Sequence, residues 1–341
     1  MCGGLETLFL THFLYKERDD LMENIVKLEV KNVKIGQQQD NESLTGVTVI
    51  FFEQGATASL DVRGSAPGSR ETELLRPDKT VDKIDAIVLS GGSAFGLEAG
   101  CGVMRFLEEK GCGVKVGDIN VPIVCQAILF DLMAGSSKIR PDMNMGKEAC
   151  ENLADSFKLG NFGAGCGATV GKILGPENAM KSGIGHSKIK LKNGIIVEAI
   201  IAVNAIGDVF DETGIIAGAL NSDGNFADST KIILDMESSE EFLNSNTTIG
   251  CVITNAKLDK SKCQKVAQTA HNGLAQSISP IHTSMDGDTI FAAATGEIEG
   301  NIDSICIAAQ LAVKNAVISA IKSANGVKSI KSYNDIKKTC K

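Results

Sequence analysis

Within two positions of residue 247 the character of this chain changes. A polar, acidic segment of roughly twenty residues runs out through Asn244-Ser245-Asn246, and a β-branched run, Thr247-Thr248-Ile249-Gly250-Cys251-Val252-Ile253-Thr254, begins at once. Such a run reads as a buried strand. The fold must therefore deliver a polar connector straight to the mouth of a core strand, with hydroxyl side chains at the entrance. Taken alone, Thr247 and Thr248 do no more than start a strand, a position Thr favours.

The rest of the chain supplies partners for that strand. Alternating apolar residues predict strands over 45–52 and 56–62, joined around Glu53-Gln54-Gly55. Residues 63–72 form a turn-rich loop, and residues 84–89 a short strand followed by Ser90-Gly91-Gly92-Ser93-Ala94-Phe95-Gly96 and a helix over about 97–109. Helical periodicity is expected over 146–157. Residues 188–204 read as a hairpin turning at Asn193-Gly194 in type I′ geometry, which brings Asn204 to its far end. Residues 221–246 read as a mobile polar connector. Beyond the junction come a strand over 249–256, a helix over 260–278, a strand over 289–295, an almost wholly apolar helix over 302–323 and a lysine-rich tail. Helices are too few for a doubly wound sheet, so the expectation is an α/β chain with its sheets sandwiched between helices.

Two glycine-rich turns invite functional readings, and each fails as a named motif. Gly91-Gly92-Ser93 is near the nucleophile elbow G-x-S-x-G, but Phe95 holds the final glycine position; nor does the turn have G-x-G-x-x-G spacing for phosphate. A substrate-lining turn, or close backbone packing, is the better reading of Gly91, Gly92 and Ser93. In Gly163-Ala164-Gly165-Cys166-Gly167-Ala168-Thr169-Val170-Gly171-Lys172 a P-loop would need glycine at Cys166 and Ser or Thr at Ile173. Lys172 therefore needs another role, or is a solvated lysine at a strand start. Asp286-Gly287-Asp288 fits an Asx-type turn and lacks the ligand ladder of an EF-hand.

Composition removes several classes of function. A net charge of -8 argues against non-specific binding to nucleic acid or anionic membrane, leaving small molecules or peptides as partners. Ten cysteines and four histidines form no CxxC pair and no cluster at zinc-ligand spacing, so no metal or cofactor is expected. Reduced thiols in apolar runs point to a cytoplasmic protein. Uninterrupted apolar runs fall short of a membrane span. Residues 1–21 read as an appended tail with Met22 an alternative start, and residues 8–15 make a poor signal peptide.

Taken together and in order, the stretches 88–97, 163–172, 203–208 (Val203-Asn204-Ala205-Ile206-Gly207-Asp208), 246–249 and 286–289 resemble the L-aminopeptidase/D-esterase family, in particular its threonine-nucleophile branch, which is similar to nylon-oligomer hydrolases and β-peptidyl aminopeptidases. The resemblance covers residues 25–324. It implies an αββα four-layer sandwich of N-terminal-nucleophile type, a precursor that cuts itself between Asn246 and Thr247, and assembly of processed protomers into a homo-oligomer. Residues 22–246 would be the α-subunit part of one domain and 247–341 the β-subunit part. Thr247 becomes the nucleophile and new N-terminus of an amidohydrolase or aminopeptidase acting on small peptides, amides or esters.

The implied chemistry is consistent with the residues present. A threonine hydroxyl needs a base, and the α-amino group freed on the same residue titrates near 7.7–8. An ammonium such as Lys172 favours the neutral amine, Asp286 and Asp288 can orient it, and Asn204 is the candidate for the oxyanion. Cys125-Gln126, Cys166 and Cys251 depart from the family's usual residues, and Asp131 is the candidate acidic group for a substrate amine. Two other classes fit parts of the pattern: an acyl transferase like the ornithine acetyltransferases, and a non-enzymatic small-molecule binding protein.

Overall fold

The architecture follows from where period-two alternation places apolar side chains. In the computed structural model, which describes residues 24–236 and 246–339, the principal strands are β1 (Val33–Asp40), β2 (Thr45–Val62), β3 (Ile84–Ser90), β4 (Val124–Ile128), β5 (Ile184–Lys190), β6 (Ile196–Ala202), β7 (Ile249–Ala256) and β8 (Thr289–Ile298). The principal helices are α1 (Ala99–Glu109), α2 (Met143–Glu151), α3 (Lys260–Ala275) and α4 (Ile302–Ser323). One sheet runs β1-β2-β3-β4 and the other β5-β6-β7-β8-β2, so the two share β2. Both faces of each sheet are covered. On β7, Ile249, Cys251 and Ile253 enter the core between the sheets, whereas Val252 faces α3 and α4. On β2, Val47 and Val49 meet α1 and α2 while Ile50 and Phe52 turn to the intersheet core. The layers are α1 and α2, the first sheet, the second sheet, then α3 and α4: an αββα sandwich, as expected from the sequence.

Several local expectations are corrected. The strands expected over 45–52 and 56–62 are one 18-residue strand. Gly55 (φ 68) shifts the register between Phe51 and Ala56, so the strand leaves one sheet for the other instead of turning back. The hairpin of β5 and β6 is present, but only Gly194 of its turn is left-handed (φ 87), and Leu191 donates to Ile195 O at 2.8 Å. That is a longer loop with glycine at its left-handed corner, not type I′. Helix α2 starts earlier than its periodicity suggests because Asp142 caps it through Met145 N, and it gives way to a strand at Ser156–Lys158. Part of the expected connector, Ser229–Leu234, is a helix capped by Asp228, and Tyr333–Thr339 of the tail is another. The remaining connector residues, 237–245, and the tail 1–21 lie outside the described residues.

Helix α4 is long and apolar enough to cross a membrane by length and composition, yet its residues Ile305, Ala309, Ala312, Val313, Ala316 and Ala320 are core of this fold. Its alanines let it close on the sheet: a Cβ on Gly185 would stand 2.0 Å from Ala316 O. A buried carboxylate ties the segment before β1 to the second sheet. Glu198 accepts from Glu29 N at 2.7 Å, Val30 N at 2.9 Å and the His186 ring at 2.6 Å. Glu198→Ala strands all three donors, and is expected to lower the unfolding free energy by about 3–5 kcal/mol in a urea titration.

Candidate active site

Strands β7 and β8 run parallel with Ile249 opposite Thr289, so the residues just before each strand lie side by side. Asn246 N donates to Met285 O (3.0 Å), Gly287 N to Asn246 O (2.8 Å) and Thr289 N to Thr248 O (3.1 Å). Thr248 N also donates to Asp288 Oδ1 at 2.7 Å. Thr248 is therefore more than an ordinary strand residue, since its backbone locks the junction to Asp288. Thr247 is 2% exposed, and its Oγ1 lies 2.5 Å from the carbonyl oxygen of Asn246. Gly287 is required there: a Cβ would meet Ala66 O at 2.5 Å and Thr247 Oγ1 at 2.8 Å.

From the other flank, β6 ends at Ala202 and hands the chain to Asn204, whose carbonyl accepts from Thr247 N at 3.0 Å. Lys172 Nζ donates to that same carbonyl and to Asn204 Oδ1, both at 2.8 Å. Its backbone is fixed by Lys172 N to Ile206 O (3.1 Å) and Gly171 N to Gly207 O (3.0 Å). The left-handed Gly171 (φ 71) makes this approach possible, since a Cβ there would fall 2.0 Å from Ala219 N. Thr247, Lys172, Asn204, Asp286 and Asp288 thus converge on one spot. The Asn204 amide is already engaged, with Nδ2 donating to Phe130 O at 2.8 Å and Oδ1 accepting from Thr169 N at 3.1 Å. An oxyanion would have to use its second N–H.

Burial brings Lys172 and Asp286 toward neutrality. Lys172 is lowered to about 7 by desolvation, against which the charges of Asp286, Asp131 and Asp288 pull upward. Asp286 is raised to about 6, by burial first and then by the neighbouring Asp288 charge. Its Oδ2 accepts from Thr283 N (2.8 Å) and Oγ1 (2.7 Å), while buried Oδ1 has no protein partner among the described residues. Groups that titrate near neutrality inside a cleft are suited to moving protons.

A narrow cleft opens beside Lys172, with Phe130, Asp131, Met133, Ala134, Thr169, Pro176 and Ile330 in its wall. The turn Gly91-Gly92-Ser93 does not line it. Gly92 N donates to Asp131 Oδ1 at 2.7 Å, and a Cβ on Gly91 would fall 1.9 Å from Asp131 Oδ2, so the turn backs the carboxylate that does. Asp131 also accepts from Thr45 Oγ1 at 2.8 Å and is pushed up to about 6 by burial. Sequence reading passed over His282, whose Nδ1 lies 2.8 Å from Asp288 Oδ2, and Lys181, whose buried Nζ donates to the carbonyls of Gly165, Ala168 and Ser182. Lys181 could have been suspected from its place in an apolar stretch; His282 carries no local signal.

No group of three or more His, Cys, Asp or Glu side chains that could hold a metal ion occurs among the described residues. Residues 27–334 match the sequence pattern of Peptidase family S58. The chain belongs to peptidase family S58. Among its relatives is an uncharacterized aminopeptidase of Mycobacterium leprae, 38% identical over 315 residues that cover 84% of this chain and 85% of the relative. A 6-aminohexanoate-oligomer endohydrolase of Kocuria sp. is 30% identical over 308 residues, covering 87% and 82%. The L-aminopeptidase D-Ala-esterase/amidase of Ochrobactrum anthropi, described as a variant of the Ntn hydrolase fold, superposes with a TM-score of 0.67 at 15% identity, over 91% of each chain. That likeness speaks for the fold, and the S58 membership makes this chain a hydrolase of peptide or amide bonds.

Proposed function

We propose that this S58 hydrolase is a self-processing N-terminal-threonine amidohydrolase that cuts small peptides or peptide-like amides through an acyl-enzyme on Thr247. The observation that carries the reading is the Asn246 carbonyl: Thr247 Oγ1 lies 2.5 Å from its oxygen, and Gly287 N–H already polarises that oxygen at 2.8 Å. In the first reaction Oγ1 gives up its proton and bonds to the Asn246 carbonyl carbon. The tetrahedral oxyanion rests on Gly287 N–H, the C–N bond breaks, and the departing nitrogen takes a proton. Water hydrolyses the resulting ester, leaving an Asn246 carboxylate and a free α-amine on Thr247.

In the mature enzyme that amine takes the Oγ1 proton while the hydroxyl attacks a substrate carbonyl. Lys172 biases the amine toward its neutral form, and the second N–H of Asn204 Nδ2 is the candidate donor to the oxyanion. The wall of Phe130, Met133, Ala134, Pro176 and Ile330 suits an apolar acyl chain, and Asp131 suits a polar or cationic end of it. Among the described residues all eight cysteines are free, which supports placing the enzyme in the reducing cytoplasm.

Intact mass of the expressed protein tests the reading most directly. Two fragments, the smaller beginning at Thr247, together with release of amine from aminoacyl or aminohexanoyl amides, are expected. An uncut chain that turns nothing over would overturn it, and transfer of acetyl groups to ornithine in preference to water would move it to the transferase class. Gly287→Ala should slow self-cleavage by about 100-fold, because its Cβ displaces Thr247 Oγ1 or the Ala66 carbonyl. The fraction of cut chain on a denaturing gel over time measures this.

A further inference from the structure

Self-cleavage removes the upstream part of what holds Thr247. Before the cut, Asn246 N bonds to Met285 O and Asn246 O accepts from Gly287 N, so the junction is clamped upstream as well as downstream. Afterwards the covalent tether runs only through Thr248, whose N–H is held by Asp288 Oδ1 at 2.7 Å. The Asp288 carboxylate, together with the Asn204 carbonyl that faces Thr247 N at 3.0 Å, then sets where the new terminus sits.

One residue outside the predicted set fixes that orientation. Asp288 Oδ2 accepts from His282 N at 3.2 Å, and lies 2.8 Å from His282 Nδ1. His282 has left-handed backbone (φ 59), uncommon for a residue with a side chain; here it aims main-chain and ring donors at the same oxygen. The ring is held edge-on against His271, with centroids 4.9 Å apart, and His271 is anchored by its Nε2 to Asp61 O at 3.0 Å. His271 is lowered to about 4 by burial, so it presents an uncharged wall, and Arg63 Nε sits on Asp61 at 2.9 Å. Buried His282 Nε2 has no protein partner among the described residues, and the acceptor-only carboxylate opposite Nδ1 places the ring proton on Nδ1.

We propose that His282 is a positioning residue which, through Asp288, keeps Thr247 in register for catalysis once the bond to Asn246 is gone. This rests on the reading of Thr247 as a released terminus. The upstream clamp makes His282 dispensable for self-cleavage and needed for turnover, an asymmetry that a purely structural role would not produce.

The test uses the full chain with two substitutions. In His282→Asn the side-chain amide nitrogen stands where Nδ1 stood, and Asn tolerates the left-handed backbone. In His282→Gln the donor is carried about one bond too far. Both variants are expected to cut themselves as completely as the unchanged protein. His282→Gln should then lose about 10- to 100-fold in kcat with KM within about 2-fold, and His282→Asn should recover most of that loss. Equal kcat in His282→Gln and the unchanged enzyme would overturn the proposal, as would a His282→Asn variant no better than His282→Gln, or a parallel fall in cleavage and turnover. Failure of the underlying reading looks different: the unchanged protein itself would stay uncut and inactive.

Discussion

Thr247→Ala is expected to accumulate as a single uncut chain with turnover reduced on the order of 10⁶-fold, the scale seen when a hydrolase loses its nucleophile. Both reactions ascribed to this residue need the same oxygen, so one substitution removes both. Thr247→Ser keeps the oxygen and should still cut. The alanine variant should also fold: among the described residues Thr247 Oγ1 hydrogen-bonds only to the adjacent Asn246 carbonyl, which keeps Gly287 N–H as a donor. Intact mass, N-terminal sequencing and single-turnover kinetics check the prediction. A cut and active alanine variant would remove Thr247 from the mechanism.

Lys172→Met should lower kcat by about 10²–10³-fold, the usual cost of losing one electrostatic stabiliser in a dry site, while leaving the protein at least as stable at low pH. Each acceptor Lys172 serves keeps a second donor: Thr247 N for the Asn204 carbonyl and Thr169 N for Oδ1. The sign of the stability effect follows from the lowered pKa of Lys172, about 7 against 10.5. Between those values the unfolded chain binds the proton and the folded chain does not, so this group makes stability rise with pH across that window and penalises the fold fully below it. Methionine removes the penalty. In the kcat profile, loss of the ammonium above about pH 7 should set an alkaline limb, absent in Lys172→Met and moved upward in Lys172→Arg. Denaturant titrations at pH 6 and pH 9 beside the kinetic profile test both halves.

How far the sequence could be read depended on whether the cause was local. Strand β7 was legible because Ile249, Cys251 and Ile253 alternate with residues facing the other way, a pattern contained in the segment. Glycine was ambiguous for the same reason. Gly55 reads as part of a joint between two strands, and only the ladders on either side, made by strands distant in sequence, keep β2 running. The convergence of Lys172, Asn204, Asp286 and Asp288 was reached through resemblance, since they come from three separate segments, the two aspartates sharing the turn before β8, and only the sheet register brings these together. Asp131 and His282 show the limit. Their roles come from a few long-range contacts, of Asp131 to Gly92 N and Thr45 Oγ1 and of His282 to Asp288, and neither spacing nor composition encodes these contacts.

The strand order bears on what a cut after Asn246 would do to the molecule. Strands β7 and β8 belong to the smaller piece, yet they lie between β6 and β2 of the larger one, hydrogen-bonded on both flanks. The two pieces are interleaved, not docked. Their separation would require two ladders to open in the middle of a sheet, together with the withdrawal of α3 and α4 from its outer face. Cleavage would thus alter the list of covalent bonds without creating a dissociable pair, and dilution alone should never resolve the fragments. Exchange of isotopically labelled small fragments between native copies should be undetectable short of global unfolding.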